Sequence, residues 1–300
     1  MRIKLLILSL FISLCGFSQK AYLDSLWKVW NNPNESDSVR LRAMYDFAWD
    51  GYLYSQPDSS YYYSKQMFDF AIEKNQVEFQ AKALNLQFNY FLAKGDLTKA
   101  AEKNDLGFKL REKIGDKIGM AVACTNYGVL YQIQGDYAKA IDYYTQSLKY
   151  NEEAKNKSGV GTSLHNIGHL YQEQLDYTKA LEYYFKSLKI RQSVNDLIGV
   201  SNSHLNIGSV YHSMKQYDEA IKYISKSLKI SKELNYLPGV AASLGNMGMI
   251  CQGKGEYDKA IDYFHQSLAI QEEIYDKQTI AISFLNIGSI KIKKKDFSVF

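Results

Sequence analysis

The stretch "HNIGHLYQE", His165–Glu173, decides how this chain is read. His165, His169 and Glu173 are spaced by four, which stacks them on one side of a helix at a spacing that suits a metal ion. The same nine residues also hold Asn166, Ile167, Gly168 and Tyr171, and these recur. Asn126, Asn166, Asn206, Asn246 and Asn286 stand forty apart, as do Gly128, Gly168, Gly208, Gly248 and Gly288. Ala140, Ala180, Ala220 and Ala260 keep the same step, and so do Ser147, Ser187, Ser227 and Ser267. A fixed period without insertions is the signature of a repeat array. The stretch is a copy first and a candidate site second.

Each block reads as two helices. "AVACTNYGVLYQIQ" sets Cys124, Tyr127, Gly128 and Tyr131 on one stripe of 3.6 periodicity. Gly135 supplies a left-handed residue to end that helix, and Asp136 caps the next. The second helix turns Ala140, Tyr143, Tyr144, Ser147 and Leu148 inward. Glycine inside a helix costs about 1 kcal/mol against alanine, so Gly128 and its copies predict a close helix crossing against the Ala140 class. Two earlier blocks share the register more loosely, with Gly95, Asp96 and Ala100 in step and Ser60 where the alanine belongs. The blocks run at about 40–79, 80–119, 120–159, 160–199, 200–239 and 240–279, with a partial one over 280–300. A helix pair cannot bury its faces alone, so neighbours must stack.

The chain is 300 residues long, too long for one small core, and its net charge of +4 is spread thinly, so it carries no nucleic-acid footprint. The start, "MRIKLLILSLFISLCGFSQK", has Arg2 and Lys4, an apolar run from Leu5 to Leu14, then Gly16 and Ser18 ahead of a cut before Gln19. Residues 1–18 are therefore expected to be a cleaved signal peptide, the run being half the ~20 residues of a membrane span. Cleavage before Cys15 as a lipoprotein is the alternative, against which Leu14 is bulky. No later stretch is apolar enough to cross a bilayer, so a secreted or periplasmic chain is expected. Cys124 and Cys251 lie three repeats apart, out of disulfide range, and read as buried thiols. In residues 19–37, "AYLDSLWKVW" gathers Leu23, Leu26, Trp27 and Trp30 on one face, a capping helix over the first repeat.

These motifs resemble the tetratricopeptide repeat, whose pattern maps onto Leu164, Ile167, Gly168, Tyr171, Ala180 and Tyr184 over about Val39 to Phe300. The resemblance implies an all-α fold, an α-solenoid of stacked helix-turn-helix pairs wound as a right-handed superhelix. The period departs from the family's thirty-four residues, and the late proline is missing. The six extra residues are expected to lengthen the second helix and its following turn, at "NKSGV" and "NDLIG". Forty-residue arrays of this kind are similar to those of the G-protein-signalling modulators and the kinesin light chains, whose concave grooves bind peptides.

By helical geometry Asn126 points about 150° away from the stripe of Cys124, Tyr127 and Tyr131. The family resemblance assigns Asn126, Asn166, Asn206, Asn246 and Asn286 to the groove, where amides pair with a ligand's backbone as donor and acceptor. Two other readings stay open: a structural bridge between repeats, and a remnant of duplication. Selectivity then falls to variable neighbours, among them His165, His169, Gln172 and His212. The carboxylate-clamp pattern is not matched, because this face has almost no basic residue before Lys293. The His165 and His169 pair, with His212 and Glu173 as candidate additions, has no third ligand fixed by the sequence, so polar groove lining is favoured over a metal site, and no cofactor is expected. Ser147 and its copies lie on a buried seam, which argues against a nucleophile and against an enzyme.

The last block stops at "KDFSVF" before a second helix, and Ile287, Ile290, Phe297 and Phe300 are expected to lack a partner; the basic run at Lys291 and Lys293 reads as a solvated face. The chain thus reads as a non-catalytic peptide-binding scaffold outside the cytoplasm, with no nucleic acid and no membrane span after signal removal. The alternative is the periplasmic sensor segment of a truncated signalling protein, a histidine kinase or DNA-binding regulator, as in related-looking secreted arrays.

Overall fold

The computed structural model describes residues 20–53, 55–274 and 277–294, and among these it contains helices and no strand. The chain begins with α1 (residues 20–31), α2 (Asp37–Tyr52), α3 (Pro57–Glu73), α4 (Val77–Ala93) and α5 (Leu97–Lys113). It continues with α6 (Lys117–Ile133), α7 (Tyr137–Glu153), α8 (Lys157–Glu173), α9 (Tyr177–Ser193) and α10 (Leu197–Ser213). The last four are α11 (Tyr217–Glu233), α12 (Leu237–Gly253), α13 (Tyr257–Glu273) and α14 (Lys277–Lys294). Even-numbered helices from α2 onward are the first helices of their repeats and odd-numbered ones the second. From α2 to α6 and from α8 to α14 each helix packs on the next, as in a helical solenoid. The packing resolves into two compact units, one ending at Tyr143 and the other starting at Tyr144, within α7.

The forty-residue period divides evenly. From α4 to α13 each helix spans 17 residues and three residues join it to the next, as Gln134, Gly135 and Asp136 join α6 to α7. This corrects the expectation that the additional residues lengthen the second helix and its turn. "NKSGV" and "NDLIG" open a first helix instead, because Asn156 Oδ1 and Asp196 Oδ1 accept the backbone N–H of Gly159 and Gly199 at 3.2 and 2.9 Å. Gly135 is left-handed at φ 77°, and Asp136 N–H donates back to the Tyr131 carbonyl at 2.9 Å, closing the helix end. The equivalent place in other turns is held by Asn75, Lys155, Leu175, Asn195, Lys215 and Asn235, also at positive φ.

Apart from Gly288, where an added Cβ would meet nothing within 4 Å, the recurring small residues are packing positions. Ala140, Ala180, Ala220 and Ala260 are buried, as are Tyr144, Tyr184, Ile224 and Phe264 four residues on. A Cβ on Gly208 would sit 2.5 Å from Ile224 Cγ1 and 3.2 Å from the Ala220 carbonyl oxygen. On Gly248 it would meet the Phe264 ring at 2.8 Å. The close crossing expected of this glycine class is present, but the large residue four beyond the alanine demands it more than the alanine does.

At the start of the chain, Leu23, Leu26 and Trp30 of α1 pack onto Leu41, Met44 and Phe47 of α2. Trp27 lies 5.3 Å from the Phe47 ring, and Arg40 Nε donates to the Trp30 carbonyl at 2.9 Å while its guanidinium covers Phe70. On α14 the expectation needs correcting: Ile287 and Ile290 are buried against Ala260, Phe264 and Leu268 of α13, because a first helix packs on the second helix before it as well as the one after. The large apolar residues left more than half exposed there are Ile282, Phe284, Leu285 and Ile292. Phe297 and Phe300 lie outside the described residues, as do residues 1–18. Cys124 is buried, which pushes its thiol up to about 11, but Cys251 is only half-buried, and both are free. No helix among the described residues is long and apolar enough to cross a membrane.

Candidate functional site

The five asparagines fall on α6, α8, α10, α12 and α14, and all are half-buried rather than sealed. Their side chains nevertheless have different fates. Asn126 Nδ2 donates to Asn85 Oδ1 of α4 at 2.8 Å and to Asn104 Oδ1 of α5 at 2.9 Å. Asn104 is buried and donates onward to the Ala123 carbonyl at 2.9 Å. Asn126 is thus a bridge to the preceding repeat. Asn206 Nδ2 approaches the His165 ring nitrogens at 3.4 and 3.5 Å, between α10 and α8. Asn246 folds back onto the Ala242 carbonyl at 2.9 Å, within α12. For Asn166 and Asn286 no side-chain amide bond occurs among the described residues; the Asn286 backbone carbonyl accepts from Ser289 Oγ.

The variable neighbours also link first helices. Gln172 accepts from Tyr184 OH at 2.8 Å and reaches Ser209 Oγ of α10 at 3.5 Å, while Gln252 donates to Ser289 Oγ of α14 at 3.2 Å. Between α10 and α12, His212 contacts the Met249 backbone, and burial lowers its pKa against that hydrogen bond. His165 lies beside the Tyr184 ring, 5.4 Å between centroids, and desolvation, helped by Arg191 and His169, holds its pKa down at about 4. It is a neutral ring at physiological pH. His169 is exposed, with Nδ1 3.8 Å from Glu173 Oε1 one turn on. Among the described residues no three His, Cys, Asp or Glu side chains converge as metal ligands.

The serine row is closed to chemistry. Ser147, Ser187, Ser227 and Ser267 are fully buried. Ser187 Oγ donates to the Gly161 carbonyl at 2.7 Å and Ser267 Oγ to that of Ala241 at 2.8 Å. Ser227 shares a hydroxyl cluster with Ser201 and Ser243 at 2.9 and 3.1 Å. These hydroxyls join neighbouring helices without leaving polar atoms unsatisfied.

Sequence reading named no candidate site residue on the first helices of the two earliest repeats. Counting back in forties from Asn126 reaches Leu86, which is buried, and Asp46. Burial raises the Asp46 pKa, with Asp50 adding to the shift while Arg42 and Lys82 oppose it. Beside it Tyr45 and Trp49 stack at 5.7 Å. The spacing was available, but the residue type changes there. Asn85 and Asn104, which engage Asn126, carried no signal because they do not recur at forty.

The sequence matches the tetratricopeptide repeat over residues 119–193, 159–233, 199–273 and 239–298. Among solved structures, BtubC (BKLC) from P. vanneervenii is similar with a TM-score of 0.63 at 17% identity, over 74% of this chain and 93% of that one. A signal transduction ATPase with a tetratricopeptide repeat sensor, from Pyrococcus horikoshii, aligns at 0.68 and 14% identity over 95% of this chain and 43% of that one. Nearly identical TPR-like repeats assigned to a kinesin light chain of Podosopora anserina align at 0.53 and 15%, over 66% of this chain and 97% of that one. At such identities the likeness is one of fold. No curated protein matches the sequence. The repeat match, the paired helices and the buried Gly, Ala and Ser rows agree, and the chain belongs to the tetratricopeptide-repeat family.

Proposed function

We propose that this chain is a non-catalytic scaffold that binds extended peptide along the face of its first helices, in a concave groove, outside the cytoplasm. Tetratricopeptide repeats are protein-interaction modules, and the half-buried asparagine row is the observation that carries the peptide reading. An amide at the surface offers donor and acceptor to any backbone, whatever its side chains. Asn126 is committed to Asn85 and Asn104, so capture falls mainly to Asn166 and Asn286, with Asn206 and Asn246 released only by giving up weaker or local bonds. His169 and Gln172 flank Asn166 and bias the choice of ligand side chain. Export is supported by the charged, apolar and small-residue order of residues 1–18. Mass spectrometry of the exported chain tests it, with loss of those residues expected and an intact Met1 refuting it.

The binding experiment is fluorescence anisotropy with linear peptides selected on the full chain. Asn166→Ala with Asn286→Ala is expected to weaken binding by about 1 kcal/mol per lost bond, roughly fivefold each, without lowering stability. Unchanged affinity refutes amide capture. A second reading, a sensor segment of a signalling protein, is favoured by the likeness to the sensor array of the Pyrococcus horikoshii ATPase, of which this chain spans less than half. Binding of a ligand that changes the activity of a linked effector distinguishes it from a free scaffold.

A further inference from the structure

We propose that a side-chain socket at Gly245, between α12 and α14, receives one aliphatic residue of the bound peptide; the inference rests on the peptide-binding reading above. The position before each asparagine is Thr125, His165, Leu205, Gly245 and Leu285. In α8 the His165 ring fills the space toward α10, reaching the Asn206 amide forty-one residues on. In α10 the equivalent Leu205 is half-buried. In α12 the equivalent residue is glycine, and the same step of forty-one leads to Asn286 of α14. Gln252, two turns along α12, donates to Ser289 Oγ of α14 at 3.2 Å.

Packing does not require this glycine. A Cβ on Gly245 would meet only Ser267 Oγ, at an ordinary 3.6 Å, whereas on Gly208 or Gly248 it would be blocked at 2.5 or 2.8 Å. Nor is it left-handed. A helix-interior glycine costs about 1 kcal/mol against alanine, and here no close approach offsets it. What it leaves is room where neighbouring repeats carry a histidine and a leucine. That room opens to solvent, because Gly245 is half-exposed.

The surroundings select the occupant. α12 contains no Asp, Glu, Lys or Arg along its length, and α14 has none between Lys277 and Lys291, more than a turn to either side of Asn286. Met249 lies one turn along α12, and Leu285, 73% exposed, stands beside Asn286 on α14. A charged side chain would lose hydration there without gaining a partner. An aliphatic residue of leucine's size reproduces what Leu205 supplies one repeat earlier, while the Asn246 and Asn286 amides flank its backbone.

The test pans phage-displayed random linear dodecapeptides on the full chain at neutral pH and measures recovered peptides against Gly245→Leu and Gly245→Ala. The expected peptides share one aliphatic position, lose at least tenfold affinity when it becomes Asp, and bind Gly245→Leu at least tenfold more weakly. Gly245→Ala, which only narrows the socket, gives a smaller loss with an unfolding midpoint at or above that of the parent. Recovered peptides that bind all three proteins equally, or that tolerate Asp at the shared position, overturn the socket and leave the peptide-binding reading standing. Failure to enrich any peptide overturns both.

Discussion

Asn126 and Asn166 are equivalent by sequence and unequal in the fold, and replacing each with alanine separates bridge from ligand contact. In Asn126→Ala two hydrogen bonds of 2.8 and 2.9 Å disappear, and the Asn85 and Asn104 oxygens lose their donor. Asn104 is only 3% exposed, so water cannot replace that donor freely. A net hydrogen bond is worth about 1 kcal/mol, and a stranded buried acceptor costs about 1–3. Alanine returns about 0.5 kcal/mol in helix propensity. The balance is a destabilisation of about 2–3 kcal/mol. In Asn166→Ala no such bond is lost, and the propensity gain makes the change neutral or slightly stabilising. Urea unfolding of the full chain, followed by far-UV circular dichroism, reads the difference. With a slope of about 2–3 kcal/mol per M, the transition affected by Asn126→Ala moves down by about 1 M, while Asn166→Ala leaves the curve in place. Equal shifts in the two variants would refute the assignment of separate roles.

Two further perturbations test the packing. Gly208→Ala forces a Cβ to within 2.5 Å of Ile224 and is expected to cost about 1–3 kcal/mol, whereas Gly288→Ala, with nothing within 4 Å, is expected to stabilise α14 by up to about 1 kcal/mol; denaturation midpoints of the two variants give the signs. His204 is buried with an unpartnered Nδ1, and desolvation, with Lys226 adding, lowers its pKa from 6.5 to about 4. The unfolded chain therefore binds its proton first, so stability present above pH 6.5 falls as pH drops toward 4, by about 3 kcal/mol from this residue. His204→Leu, the residue type of Leu164 and Leu244, is expected to flatten that fall in urea midpoints measured from pH 7 to pH 4.

The period was legible because the residues that carry it answer to geometry alone. A glycine faces Tyr184, Ile224 or Phe264, an alanine sits at the crossing, and a serine ties its hydroxyl to a neighbouring helix, so none of the three tolerates much change. Helix boundaries were less legible. Ser158 and Gly159 resemble a turn by composition, yet the Asn156 side chain accepts the free N–H of Gly159 and caps a helix that starts at Lys157. The left-handed turn residue was visible as Gly135 and hidden elsewhere, because Leu175 and Lys155 hold the same conformation under the backbone bonds that close each helix.

Function was the least legible layer, and the asparagines show why. A repeat conserves the position of a side chain on its helix, but the partner of that side chain belongs to a different helix and need not recur. Asn126 meets Asn104 twenty-two residues back and Asn85 forty-one back, and neither offset is a multiple of the period. Asn206 meets a histidine at the same offset of forty-one, and Asn246, with Leu205 at that offset, bonds its own helix backbone instead. One residue type at one register therefore does three jobs, fixed by what stands at the preceding position one repeat earlier: Asn85, His165 or Leu205. The same logic makes Gly245 informative, since an omitted side chain in that row removes a contact to the next helix and leaves the space to whatever arrives from outside.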